Sequence, residues 1–348
     1  MTSLLRGLKQ LFRRDKSSCG RIAIIGGGSW ATALAKIVVE QTHHIGWYMR
    51  REDSIKAFKA LGHNASYLTS VHFDVGEIDF TTDLNRIIRK YDTLIFVTPS
   101  PYIKQHLAKV TENMQRKFVV IATKGIVPEE NMAISEYFRS RYGVPKEQIA
   151  CLIGPSHAEE VAMSRLTYLT VGCENIKKAK QLADTIQSDY IQARISTDVL
   201  GIEYAGVLKN IYAIGAGICH GLKYGDNFHA VYMANAAREM QRVLEVLNHS
   251  ERRNISNSVY LGDLLVTGYS NFSRNRVFGM MLGKGYSIKA AQAELQMVAE
   301  GYYGSKCIKE ILASYRAASF PIIDTVYSIL YEGADAAQTI KDLTLKLK

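Results

Sequence analysis

Lys209 and Asn210 stand side by side in GVLKNIYAIGAGICHGLKYGDN, residues 206–227, a stretch that otherwise reads as a buried helix. Lysine is among the residues least often fully buried. Two readings of Lys209 are open. Its stem snorkels along a packed helix and keeps the ammonium in water. Alternatively the ammonium does acid–base work, steadying negative charge that develops on an oxygen and then donating a proton. Partial burial and cationic neighbours lower a lysine pKa towards the range such work needs. A second group is glycine-rich: Gly26, Gly28 and Ala31 fit the pattern G-x-G-x-x-G/A. In that pattern the first position makes a tight turn and the second lets the backbone approach a pyrophosphate. The third is small enough for close helix–strand packing. The helix opening at Ser29 and Trp30 would aim free N–H groups at the phosphates.

These groups need a frame, and the chain supplies one. RIAII, residues 21–25, is a short apolar run that reads as a buried strand, and the glycine turn follows it at once. A strand before and a helix after is the context the glycine motif requires, so a dinucleotide site is expected. HIGWYM, LIFVTP, FVVIATKG, ACLIGP and LTVGC are further short apolar runs alternating with helical pattern. That alternation predicts a mainly parallel sheet covered on both faces. After about residue 196 the texture turns helical with Gly-rich joints. The expected organisation is a basic extension over 1–20, a doubly wound α/β domain over 21–195 and an all-helical domain over 196–348.

The end of the second strand bears on the choice of dinucleotide. An acidic residue there takes the ribose hydroxyls of NAD, whereas arginine takes the extra phosphate of NADP. WYMRRED puts Arg50 and Arg51 first and Glu52 and Asp53 after them. Arginine pairs readily with phosphate in a bidentate fork, so NADP is the expected preference. NAD remains open through Glu52 or Asp53.

Composition removes several other classes. The 348 residues are 47% apolar and 22% charged, close to an average globular chain. No apolar run reaches the length of a transmembrane helix. The five cysteines are scattered without a CxxC, and His43 and His44 are adjacent rather than spaced as ligands. Neither a metal site nor a disulfide framework is expected, and a reducing cytoplasm is the expected setting. The net charge of +10 suits small anionic ligands. No Lys/Arg run with interleaved aromatics lies beyond the N-terminus, so no nucleic-acid partner is expected. The first twenty residues read either as a frayed extension or as a short basic amphipathic helix touching a membrane surface weakly. No GxSxG element points to covalent hydrolysis.

Beyond these features the chain resembles the NAD(P)-dependent glycerol-3-phosphate dehydrogenases, particularly the bacterial type. The resemblance runs from Arg21 to about Lys306 through GGGSWATALA, VTPS, IATKGI, IGPSHAEEVA, the LKN stretch, LGDLLVTGYSNFSRNRVFGMMLGKG and EGYYGSK. It implies a Rossmann domain followed by a helical one, usually as a homodimer. It also implies interconversion of dihydroxyacetone phosphate and glycerol 3-phosphate, feeding phospholipid synthesis. By this resemblance Lys209 is the general acid and base. Lys124 is a lysine beside the reacting carbonyl and the cofactor, and Asp263 is the buried carboxylate that holds Lys209. Asn210, Thr267, Arg274, Asn275, Gly154 and Ser156 are assigned to the substrate. Pro99, Ala158, Glu300 and Arg274 are assigned to the cofactor side. Two departures stand out. His157 occupies a position where the family often has phenylalanine, in PTFA, and FHAVYMANAAREM lacks the arginine and threonine of ARTALITRG.

Overall fold

A computed structural model describes residues 19–251, 253–295, 299–315 and 319–348. The amphipathic reading of the N-terminal extension falls almost wholly outside them. In the first half, strands and helices alternate: β1 Ile22–Ile25, α1 Ser29–Thr42, β2 Ile45–Tyr48, α2 Glu52–Leu61, β3 Ile78–Thr81, α3 Leu84–Lys90, β4 Thr93–Phe96, α4 Ser100–Leu107 and β5 Phe118–Ile121. A small antiparallel pair, β6 Ile126–Val127 and β7 Met132–Ala133, precedes α5 Ile134–Tyr142. Then come β8 Ile149–Ile153, α6 Ala158–Ala162, β9 Thr167–Cys173, α7 Ile176–Ile186 and β10 Ile191–Ser196.

The eight long strands form one sheet in the order β10-β9-β8-β5-β4-β1-β2-β3. All neighbours are parallel except β8 and β9. The reversal of direction in the strand order falls beside β1, where a doubly wound sheet leaves a crevice for ligands. Strands β1, β2, β4, β5 and β8 are buried at every residue. Ile22 and Ile24 face one core, while Ala23 and Ile25 face the other. This is the period-two pattern of a sheet covered on both sides.

The helical half begins with α8 Val199–Gly221 and continues through α9 Asp226–Leu247, α10 Asp263–Tyr269, α11 Arg274–Gly283, α12 Ile288–Leu295, α13 Glu300–Ser314, α14 Pro321–Tyr331 and α15 Ala336–Thr344. Helix α8 is buried on all sides from Gly201 to Cys219 and forms the axis of this half. Glycines let α11 press against it. A Cβ built on Gly279 would lie 1.9 Å from the Ile214 carbonyl oxygen, and one on Gly217 would lie 2.0 Å from that of Arg276. No helix among the described residues is long and apolar enough to cross a membrane.

Several helices start without a local side-chain cap, among them α4, α5 and α14. For these three, glutamates from distant segments supply the acceptors. Glu203 of α8 accepts from the Ser135 N–H at 3.1 Å, and Glu239 of α9 accepts from those of Ile322 and Ile323 at 2.9 Å each. Glu300 of α13 accepts from the Ser100 N–H at 3.0 Å. Burial pushes the carboxyls of Glu203 and Glu239 up to about 7, opposed by the hydrogen bonds they accept. Each satisfies N–H groups that a helix start leaves without intrahelical partners.

Candidate active site

Lys209 projects from the middle of α8. Its Nζ lies 2.5 Å from Asp263 Oδ1 and donates to Thr267 Oγ1 at 3.0 Å. Thr267 in turn donates to the Asp263 carbonyl at 2.6 Å. The Lys209 and Asp263 side chains are 5% and 1% exposed. Asp263 is therefore turned to the lysine rather than spent on capping α10. A π-helical turn, Ser258–Gly262, precedes it and sets the carboxylate on the inner face; such turns recur at functional sites. Lys124 Nζ stands 3.6 Å from Asp263 Oδ2 and donates to the Gly154 carbonyl at 3.3 Å. Two ammonium groups thus share one buried carboxylate. Burial draws the Lys209 pKa well below that of an ordinary lysine; Asp263 opposes the shift and Lys124 adds to it. The snorkelling reading fails here, because the Lys209 head group is enclosed instead of reaching water.

The remaining predicted substrate residues gather around this cluster. A cavity of about 220 Å³ is lined by Lys209, Lys124, Asn210, Thr267, Arg274 and Asn275, with Ser156 on the same wall. Asn210 donates to the Lys124 carbonyl at 3.3 Å, which fixes its amide. Ser273 caps α11 by accepting from the Arg276 N–H, so Arg274 and Asn275 sit in the first turn. Asn275 Oδ1 accepts from the Gly301 N–H at 2.9 Å, which leaves its amide N–H groups for a ligand. Gly154 does not line the cavity. Its carbonyl lies behind the site, holding Lys124 and accepting from Ser156 Oγ at 3.0 Å.

A second cavity, of about 530 Å³, joins the first through the shared wall residues Ser29, Trp30, Pro99 and Arg274. Gly26, Gly28 and Ala31 line it, as do Arg50 and Arg51. Gly26 has φ +138°, and its N–H donates to the Tyr48 carbonyl at 3.1 Å. Gly28 caps α1 with open space where a side chain would stand. Ala31 is fully buried against the sheet. These residues fit a dinucleotide. The turn leaves room for a pyrophosphate at the start of a fourteen-residue helix, and the Trp30 indole N–H is buried without a partner where the two cavities meet. Glu52 and Asp53 are absent from the groove wall and lie in the first turn of α2. Pro99 and Ala158 line the inner cavity at the starts of α4 and α6. Glu300 lines it too, with its carboxylate tied to Ser100 and its pKa raised by burial.

Some wall residues carried no assignment in the sequence. His157 lines the inner cavity; its only signal was its departure from the family pattern. Asn64 donates to the Gly27 carbonyl at 3.1 Å and to Thr32 Oγ1 at 2.9 Å, bracing the glycine turn. It lies after α2, and nothing in its neighbourhood marks it as part of the turn.

Residues 21–179 match the profile for the NAD-dependent glycerol-3-phosphate dehydrogenase N-terminus, and residues 198–341 match that for the C-terminus. A glycerol-3-phosphate dehydrogenase [NAD(P)+] of Enterococcus faecalis is 33% identical over 94% of this chain and 96% of its own length. The crystal structure of glycerol-3-phosphate dehydrogenase from Coxiella burnetii superposes with a TM-score of 0.85 at 29% identity, covering 93% of this chain and 98% of that one. D-mandelate dehydrogenase solved with NADH, at 15% identity and a TM-score of 0.56 over 90% of this chain and 98% of that one, shares the fold alone. The chain belongs to the NAD-dependent glycerol-3-phosphate dehydrogenase family.

Proposed function

We propose that the chain reduces dihydroxyacetone phosphate to sn-glycerol 3-phosphate, reversibly, with NAD or NADP as cofactor. The observation that carries this reading is the continuity of two sites. The cavity that Lys209 and Lys124 line shares wall residues with the groove of the glycine turn. When bound in that groove, a reduced nicotinamide supplies a hydride to the ketone carbon. Lys209 Nζ then protonates the C2 oxygen, and in the reverse direction it accepts that proton. Lys124 adds positive charge where the oxygen becomes negative. Asp263 balances the two ammonium groups and fixes Lys209. Arg274 and Asn275 grip the phosphate, for which a guanidinium fork is suited. Arg50 and Arg51 line the groove where Glu52 and Asp53 do not, which supports a preference for NADP. On the family resemblance, the product feeds glycerophospholipid synthesis in the cytoplasm and the working unit is a homodimer.

The test is direct. Purified protein is mixed with dihydroxyacetone phosphate, and loss of nicotinamide absorbance is followed with NADPH and NADH in parallel. Rapid oxidation of NADPH and slower oxidation of NADH is the expected result. Equal rates would retain the reaction and remove the arginine argument. Activity only on a phosphate-free keto acid would replace the substrate.

A further inference from the structure

Dihydroxyacetone phosphate has three polar parts, and the reading above provides for two of them. Lys209 and Lys124 meet the carbonyl, and Arg274 with Asn275 meets the phosphate. The primary hydroxyl on the other side of the carbonyl has no assigned partner. Most neutral polar groups on the inner wall are already engaged. Ser156 Oγ donates to the Gly154 carbonyl, Thr123 Oγ1 to that of Thr98, and Thr267 Oγ1 to that of Asp263.

His157 differs from them. Its ring lines the inner cavity, and Nε2 is buried without a hydrogen-bond partner. The residue is the N-cap of α6, but its side chain makes no capping hydrogen bond. Phe272 packs near the ring at a centroid distance of 5.8 Å, and the Val266 carbonyl lies beside it. Burial, with the positive charges of Lys209 and Lys124, holds the imidazole pKa down to about 4, so the ring is neutral where the enzyme works. A neutral imidazole carries one N–H and one lone pair, and the hydrogen bond at one nitrogen decides the role of the other. In the tautomer whose N–H faces the Val266 carbonyl, the ring offers an acceptor on its other nitrogen. A hydroxyl group is the ligand chemistry that suits this acceptor beside two ammonium groups, because it donates without adding charge.

We propose that His157 is a specificity residue whose ring accepts a hydrogen bond from the primary hydroxyl of the substrate. This rests on the functional reading above. It separates a hydroxyketone phosphate from the otherwise identical phosphate in which that hydroxyl is replaced by hydrogen. Sites that hydrogen-bond a substrate hydroxyl reject the analogue lacking it strongly, because a buried polar group is left unpaired.

The test compares kcat/KM for dihydroxyacetone phosphate with that for hydroxyacetone phosphate, which lacks the hydroxyl. Wild type is expected to favour the former by about 100-fold or more. His157→Phe should reduce that ratio by about tenfold or more through loss on the hydroxylated substrate, whereas His157→Gln, which keeps an acceptor, should reduce it less. A variant disturbed only in packing would slow both ketones together and leave the ratio in place. The inference is overturned if His157→Phe keeps the wild-type ratio within about twofold. It is overturned without any variant if wild type uses the two ketones equally well. Wild type that turns over neither ketone would instead refute the functional reading, and the inference would fall with it.

Discussion

Lys209 Nζ and Asp263 Oδ1 lie 2.5 Å apart in a setting that leaves neither side chain more than 5% exposed. An enclosed pair of this kind is a poor stabiliser compared with apolar packing, yet breaking it by removing one partner is costly. Its arrangement makes sense as a means of presenting an ammonium to the inner cavity with its charge balanced from behind.

Lys209→Met should lower kcat by about 100- to 10,000-fold, the range of a general acid. It also strands the Asp263 carboxylate beside Lys124 alone. A loss of about 3–5 kcal/mol is expected in denaturant unfolding. Lys209→Met combined with Asp263→Asn should recover part of that stability and none of the activity. Recovery of activity would exclude Lys209 as the acid.

The two directions of reaction should respond oppositely to pH. Reduction needs the Lys209 ammonium, and oxidation needs the neutral amine. Burial lowers this pKa below the ordinary lysine value. The kcat/KM for reduction should therefore fall as pH rises through the depressed pKa, well before an ordinary lysine titrates, while that for oxidation rises. Parallel pH profiles in the two directions would contradict the assignment.

Arg50→Ala combined with Arg51→Ala should raise KM for NADPH by about 10- to 100-fold, the loss of one or two charge-assisted hydrogen bonds. KM for NADH should change little, since NADH lacks the extra phosphate. Equal losses with both cofactors would show that these arginines act on a shared part of the dinucleotide.

Gly279→Ala tests the packing behind the site. The added methyl would meet the Ile214 carbonyl oxygen at 1.9 Å, so α11 must move away from α8. Overpacking of this kind costs about 1–3 kcal/mol or more. Because α11 carries Arg274 and Asn275 in its first turn, KM for the phosphorylated substrate should rise together with the fall in melting temperature. A stable variant with unchanged KM would show that the phosphate residues do not depend on that contact.

The central strands were legible in the sequence because burial on both faces writes an unbroken apolar run, as in IAII and FVVI. Strands β3 and β10 were missed. They form the two edges of the sheet, where IDFT and IQARIS mix polar and apolar residues. The glycine turn was legible because its function depends on local backbone geometry. Asn64, which braces it, was not, because it contributes through a loop far along the chain. The resemblance marked Asp263 as the partner of Lys209 and put Lys124 beside the reacting carbonyl, but no local pattern could state that one carboxylate faces both ammonium groups. That relationship exists only once α8, α10 and the end of β5 are assembled.

The borrowed acceptors at α4, α5 and α14 have a consequence for how the molecule holds together. Two of the three cross between the halves: Glu203 reaches back 68 residues to finish α5, and Glu300 reaches back 200 residues to finish α4. A helix start without a cap of its own leaves N–H groups to water or to a partner. The sheet half, cut free, would lose the acceptors for two of its helices, and one of those helices opens beside Pro99 on the cofactor groove. The sheet half therefore leans on the helical half for two of its helix starts, one of them at the wall of the nucleotide groove.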